Sequence, residues 1–475
     1  MRATDLTSRI LTRYRAEFRG LVRRVAPFVG GTVAVLAPPA HAQAASDTLS
    51  EPSVVTSHAG VLRFSLDPAI STVTVAGGRV ALMAYDGQYV PPTLRVHPGD
   101  TIRLRLSNAL DEPTNLHVHG LAVSPLGNSD NPFLHIAPGE SEDYEIRVPA
   151  DHPPGLFWYH PHPHHFSDVQ IRHGMSGALI VEGLLDSFPT LRHVRERVML
   201  LKDLQLENGR VAIKSIGKND TRTINGLANP LIVLRPGETE LWRIANVGAD
   251  VYYELSLEGH RFDVLARDGH RLTHLEPTDT LELSPGARVE ALVTAGAAGV
   301  HLLHDGDVDT GPAGNQYDGT VMATVRVEGP PATPITLPAA LLPVEDLRAR
   351  VTNRRTIVYS ESKDGDTFFI DGKTFDMNRI DVRVKLGAVE EWTIRNDADE
   401  LHSFHIHQAP FQVTEIDGVP QPADGYRDIV DVPIGGQVKV VIPFTNPIIV
   451  GRFVYHCHII SHEDKGMMAT IEVTP

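Results

Sequence analysis

The sequence predicts an all-β protein of three consecutive β-sandwich domains, on three observations. A strand, turn, strand unit occurs three times, as LRVHPGDTIRLRLSN at 94–108, IVLRPGETELWRIAN at 232–246 and VRVKLGAVEEWTIRN at 382–396. In each, the turn glycine (Gly99, Gly237, Gly387) stands nine residues before an asparagine (Asn108, Asn246, Asn396). A second unit, GLFWYHPH at 155–162, GVHLLHDG at 299–306 and GRFVYHCH at 451–458, sets a glycine five residues before a histidine, and a similar closing strand follows each copy. Helical periodicity is scarce, whereas short alternating runs such as Ile102, Leu104 and Leu106 recur between Gly and Pro turns, the mark of half-buried strands. A chain of 475 residues has the length for three ordinary domains, and the repeat agrees.

Residues 1–42 carry seven arginines against two acids, Asp5 and Glu17, turn apolar from Val25 to Pro38 and end on Ala-His-Ala. That layout predicts an export signal peptide, and its apolar run is too short to span a bilayer as a helix. Arg23 and Arg24 suggest the twin-arginine route, with Sec export as the alternative because VRRVAPF lacks the usual polar residue before the pair. Either route leads out of the cytoplasm, to an expected periplasmic location with no membrane anchor after cleavage. Loss of the segment takes the net charge from −16 to −21, which disfavours nucleic acid and anionic membrane surfaces as partners. One cysteine excludes an intrachain disulfide, although an exported chain is free to make them.

The repeats place the first domain at 50–185, the second at 193–329 and the third at 345–475. The stretch around Leu184 to Arg192 and the Pro-rich run at 329–346 read as linkers, since the latter cannot be a central strand.

The third domain ends in HCHIISHEDKGMM at 456–468, where the lone Cys457 lies between His456 and His458, with His462 five residues after it and Met467 ten after it. A thiolate, an imidazole and a weak axial thioether are donors of a blue-copper electron-transfer site, which needs one further imidazole. Along a strand successive side chains alternate in direction, so Cys457 can serve one metal while its neighbours serve another. Three more His-x-His pairs stand upstream: His117 and His119, His160 and His162, and His405 and His407, the last preceded by His402. Imidazole and thiolate suit copper, whereas Mg or Ca would call for oxygen ligands and structural zinc for a closed set of four. Pairs from the first and third domains must meet to close a site, which predicts a metal cluster at their interface. In the middle domain, aligning FDVLARDG at 262–269 with FQVTEIDG at 411–418 puts Tyr253, Ser256 and Glu258 where His402, His405 and His407 stand, and Asp305 and Gly306 in place of the cysteine and the histidine after it. That domain reads as a ligand-free spacer.

HVHG at 117–120, WYHPH at 158–162, HSFHIH at 402–407 and HCHIISHEDKGM at 456–467 resemble, in order and spacing, the ligand motifs of the multicopper oxidases, the family of laccases, cuprous and ferrous oxidases and bilirubin oxidases. The resemblance runs from about residue 50 to the end and implies three consecutive cupredoxin-like Greek-key β-sandwich domains. It implies four copper ions per chain. His402, Cys457, His462 and Met467 would be the type 1 ligands, Met467 axial, and His117 and His405 the type 2 pair. His119, His160 and His458, then His162, His407 and His456, would be the two type 3 triplets. The implied activity is one-electron oxidation of a donor at the type 1 copper coupled to reduction of dioxygen to water at a trinuclear cluster, with no organic cofactor. Both halves of the cluster lie in one chain, so a monomer suffices.

Reduction of dioxygen to water consumes protons, so acids are expected beside the cluster. Asp130, in GNSDNP, and Glu463, after His462, resemble the family's proton-relay positions, although Asp130 also reads as a turn former and Glu463 as a solvated surface charge. His164 and His165 read either as donors that orient a ligand or as exposed polar residues. The other unpaired histidines (His135, His152, His173, His260, His270, His301 and His304) read as structural, and Trp158 and Tyr159 as core. The stretch between the third and fourth motifs has no methionine, so the Met-rich insert of dedicated cuprous oxidases is absent and a laccase-like activity on phenols or aromatic amines is expected. The alternatives are a metallo-oxidase for Cu(I), Fe(II) or Mn(II), using surface acids such as Asp424, Asp428 or Asp431, and a copper-binding protein without turnover.

Overall fold

The computed structural model describes residues 47–212 and 220–475. The export-signal reading of 1–42 lies outside the described residues. Among the described residues every sheet draws its strands from a single repeat. One isolated bridge, Thr48 to Leu231, lays the start of the described chain against the second repeat.

The sequence repeats become one architecture made three times. In each, the strand before the turn (Thr93–Val96, Leu231–Leu234, Val382–Lys385) pairs parallel with the closing strand (Gly177–Val181, Thr320–Val327, Met468–Thr474). The closing strand pairs antiparallel with the strand that runs into the second unit's histidine (Gly155–His160, Gly299–Asp305, Gly451–Cys457). That strand pairs in turn with His117–His119, Tyr253–Leu257 or His402–Ile406. The strand after the turn (Thr101–Ser107, Thr239–Asn246, Ala388–Asn396) belongs to the facing sheet. Chain that changes sheet between successive strands gives the Greek-key sandwich the repeats predicted.

The cores follow the alternation. In Thr101–Ser107, Ile102, Leu104 and Leu106 are buried and Arg103 and Arg105 face solvent. The repeated asparagine has a structural cause. Asn108 donates from Nδ2 to the carbonyls of Glu112 and Ile136, 2.9 Å each, and its Oδ1 accepts from the Leu110 N–H at 3.0 Å. Asn246 does the same with Val251, Leu283 and Gly248, and Asn396 with Glu400, Val432 and Ala398. A buried amide satisfied in this way fixes the loop that leads to the next strand.

Two short helices, Ser167–Arg172 and Ile460–Asp464, follow the second and fourth motifs and pack together. Arg172 pairs with Asp168 at 2.7 Å and with Asp250 of the second repeat, while Asp250 accepts from the Ser461 N–H at 3.4 Å. All three repeats thus meet behind the fourth motif.

Candidate metal centre

Strand alternation builds two sites at one strand end. Cys457 lies opposite Phe404 and His456 opposite His405 in the antiparallel pair, so the thiol and its flanking imidazoles leave opposite faces. On the Cys457 face, Sγ lies 3.6 Å from His402 Nδ1 and 3.8 Å from His462 Nδ1, and the two nitrogens are 3.2 Å apart. Three donors at these separations surround a point within bonding reach of each, the trigonal His2Cys arrangement of blue-copper sites. Met467 is fully buried, its N–H donating to the His462 carbonyl at 2.9 Å and its carbonyl accepting from the Cys457 N–H at 3.1 Å, so the helix-bearing loop closes on the site. Phe368 stacks on the His462 ring at 3.9 Å.

On the other face eight imidazoles converge. His119, His160 and His458 form one triplet and His162, His407 and His456 another, the ligand atoms of each within 4.8 Å of one another. His117 groups with His119 and His405. The register explains the arrangement: His117 pairs with His160 in the first repeat as His405 pairs with His456 in the third. Exchanging the two repeats turns one triplet into the other and His117 into His405, an approximate twofold symmetry inherited from the repeated fold. The same register in the second repeat sets Ser256 opposite His304 and Leu255 opposite Asp305, so its ligand positions hold other residues, as the alignment expected.

The chemistry of the donor set fits a soft or borderline metal. Nε2 of His117, His160 and His405 is buried without a hydrogen-bond partner, while Nδ1 of each is held by Asp130, by the Pro161 carbonyl and by the Asp428 carbonyl. Burial pushes His160, His402 and His405 down to about 3, leaving neutral imidazoles with free lone pairs. Burial drives the Cys457 thiol upward, so its thiolate requires a cation at hand.

The two expected acids are both buried against the cluster. Asp130 stands 2.9 and 3.1 Å from His117 Nδ1 and accepts from the Val118 N–H at 3.0 Å and from Gln408 Nε2 at 2.5 Å. Burial raises it to about 8, so it holds a proton near neutrality. Glu463 places one oxygen 3.1 Å from His456 Nδ1 and the other 3.5 Å from His162 Nε2, and burial, then Asp464, raise it far above the usual carboxylate range. Glu463 is therefore no solvated surface charge.

The candidate surface acids divide. Asp428 is not at the surface: it is 2% exposed, its carboxylate lies 2.6 and 2.7 Å from Arg288 of the second repeat and 3.1 Å from His119 Nε2, because a buried carboxylate needs a cation and donors. Asp431 accepts from Ser403 Oγ at 2.6 Å, and Asp424 is half-buried. The acid beside the outer ligand is one that sequence reasoning missed, Glu400, whose Oε1 lies 3.4 Å from His462 Nε2. Its place two residues before His402 was the available signal. Arg288 and Gln408 were missed as well, because neither sits in a motif. His165 is exposed and held by Asp464, and the His164 ring meets Phe375 edge to face at 4.7 Å, so both lie outside the histidine and cysteine groups. Trp158 and Tyr159 are fully buried, and Trp158 also stacks on His160 at 4.2 Å.

Residues 69–185, 198–330 and 348–475 each match a multicopper oxidase family. Multicopper oxidase mco of Staphylococcus haemolyticus is 28% identical over 410 residues, 82% of this chain and 84% of that protein. Cell division protein FtsP of Edwardsiella tarda is 30% identical over 465 residues, 92% of this chain and 94% of that protein. The solved multicopper oxidase of Campylobacter jejuni, described as a metallo-oxidase, superposes with a TM-score of 0.80 at 26% identity, covering 91% of this chain and 96% of that one. With matching families over most of its length, relatives along nearly all of it and the histidine sites in place, the chain belongs to the multicopper oxidase family.

Proposed function

We propose that the protein is an exported copper oxidase in which His402, Cys457, His462 and Met467 would hold an electron-accepting copper for a small donor, and the histidine cluster would hold the coppers at which dioxygen is reduced. In this reading residues 50–185 and 345–475 supply the two halves of the cluster, residues 193–329 supply no ligand, and residues 1–42 direct export to the periplasm. His117 and His405 would hold the type 2 copper, and the two triplets the type 3 pair. Copper bound at these residues supplies one-electron chemistry at the first site and four-electron reduction of dioxygen to water at the second.

The observation that carries this reading is the strand end itself. Cys457 faces one site while His456 and His458, its covalent neighbours, face the other, so a few bonds join an outer electron-accepting site to an inner cluster. Burial of the cluster histidines excludes bulk water. Asp130, buried beside His117, and Glu463, buried beside His456 and His162, stand on the two sides from which a reaction that consumes protons would draw them.

For the donor, Glu400 supports a laccase-like reading with phenols or aromatic amines. Burial, then the neighbouring Glu361, raise Glu400 to about 9, so at neutral pH it offers a hydrogen-bonding carboxyl group and not a charge. The second reading, a metal-ion donor, is favoured by the same pair of carboxylates once deprotonated, since hard and borderline cations seek such oxygens. The test is oxygen uptake by copper-loaded protein with a methoxyphenol and with Cu(I), together with copper content per chain. Four electrons consumed per dioxygen with the phenol supports the proposal, faster uptake with Cu(I) transfers it to a metallo-oxidase, and full copper content with no uptake in either case overturns it in favour of a copper-binding role.

A further inference from the structure

The middle domain brings a buried cation to the cluster although it holds none of the ligands. Four ligand histidines, His117, His160, His405 and His456, have Nδ1 engaged by a carboxylate or a backbone carbonyl, which turns Nε2 toward the cluster. His119 is reversed. Its Nε2 meets Asp428 Oδ1 at 3.1 Å, and its Nδ1 faces His458 Nε2 at 3.2 Å. Asp428 is clamped by Arg288, whose Nη1 and Nη2 donate to its two oxygens at 2.6 and 2.7 Å, while Arg288 Nε and Nη1 donate to the carbonyls of Leu156 and Gly286 at 3.2 and 3.1 Å. Every residue of the chain His119, Asp428, Arg288 is buried, and each comes from a different repeat. The Asp428 carbonyl also accepts from His405 Nδ1 at 2.7 Å, so one residue orients ligands from both outer domains.

The packing around this chain leaves no slack. Gly120, directly after His119, has φ of +88°, and a Cβ there would lie 2.5 Å from both Arg288 Nη2 and Asp428 Oδ2. A Cβ on Gly286 would lie 2.7 Å from the His458 ring, so the loop that carries Arg288 also presses on a second ligand. We propose that Arg288 is a positioning residue for the histidine cluster: by clamping both Asp428 oxygens it holds one of them 3.1 Å from His119 Nε2, which makes that nitrogen the donor and leaves the Nδ1 lone pair facing the cluster. A carboxylate on the far nitrogen of a ligand imidazole sets its tautomer and its basicity, and loss of such a partner weakens metal affinity by roughly 10- to 100-fold. Without the guanidinium the Asp428 carboxylate loses both hydrogen bonds that aim it at His119 Nε2, and the tautomer is no longer dictated.

The inference rests on the histidine cluster being the copper site, and two measurements keep the two claims apart. Nitrogen-proton correlation of the histidine rings in the copper-free protein reads the His119 tautomer directly: an Nε2–H is expected, and an Nδ1–H overturns the proposal whatever the metal content. Copper titration of Arg288→Gln, followed by electron paramagnetic resonance, should show cluster copper bound about 10- to 100-fold more weakly with the type 1 signal retained, and Arg288→Lys should restore part of the loss. Equal weakening of both sites, or unchanged cluster affinity in a folded Arg288→Gln protein, overturns it. A wild-type protein whose cluster takes up no copper refutes the copper reading instead, and the tautomer then decides the role of Arg288 alone.

Discussion

Asp305 of the second domain occupies the strand position that Cys457 holds in the third: Leu255 faces Asp305 across the same strand pair in which Phe404 faces Cys457. Where the third domain gathers two imidazoles about its thiol, the second gathers the guanidinium of Arg222, which pairs with the buried Asp305 carboxylate. An ion pair inside the protein thus stands where its sister domain has a candidate metal site. Arg222→Ala strands the carboxylate and should destabilise the protein by about 3–5 kcal/mol, as the loss of one partner of a buried pair does. Thermal unfolding of the variant checks this, and an unchanged melting temperature would show that the pair has no such weight.

Cys457→Ser should abolish the intense visible absorption of a copper thiolate and leave the histidine cluster able to take up copper, because the cysteine faces away from it. Copper content should fall by the one ion at that site, with oxygen uptake reduced to background. Loss of all copper would mean that the two sites do not fold independently.

Asp130 gives a signed pH dependence. Its carboxyl is raised to about 8 in the folded protein from 3.8, so folding is favoured while it is protonated and that contribution is lost as pH rises from about 4 to about 8. Over that window stability should fall by about 1.4 kcal/mol per pH unit, one proton's worth. Asp130→Asn, which cannot ionise, should remove this slope in the copper-free protein. The buried histidines have the opposite sign and are common to both proteins, so the difference between the two unfolding profiles isolates Asp130. In the copper-loaded protein the same variant should slow dioxygen turnover by about 10²–10⁴-fold, the usual range for loss of a general acid.

Glu400→Gln separates the donor classes. With the carboxyl raised to about 9, the amide is a near-isosteric substitute at neutral pH, and phenol oxidation should keep its rate. A cation needs the carboxylate, so kcat/KM for Fe(II) or Cu(I) should drop by about tenfold, the equivalent of about 1.4 kcal/mol. Equal losses for both donors would place Glu400 in the His462 environment and not in donor choice.

Gly120→Ala drives a methyl group into Arg288, Asp428 and Phe157 at a backbone angle that L residues rarely adopt. Strain and overpacking should each cost about 1–3 kcal/mol, read as a lowered melting temperature.

What the sequence by itself determined are the features that live in local spacing. Strand alternation separates Cys457 from His456 and His458 onto two faces, and a fixed offset from turn glycine to asparagine marks each repeat, so the threefold sandwich and the twelve proposed metal ligands were legible before any coordinate. What only the tertiary structure decided are the partners of those residues. GNSDNP carries Asp130 under His117 and not to an exposed turn, GYRDIV buries Asp428 that reads as a surface acid, and the middle domain, read as a spacer, extends Arg288 to the cluster. The reason is physical: whether a carboxylate meets water, a guanidinium or an imidazole is set by contacts between residues more than a hundred positions apart, such as Arg288 and Asp428, and no period along the chain encodes them.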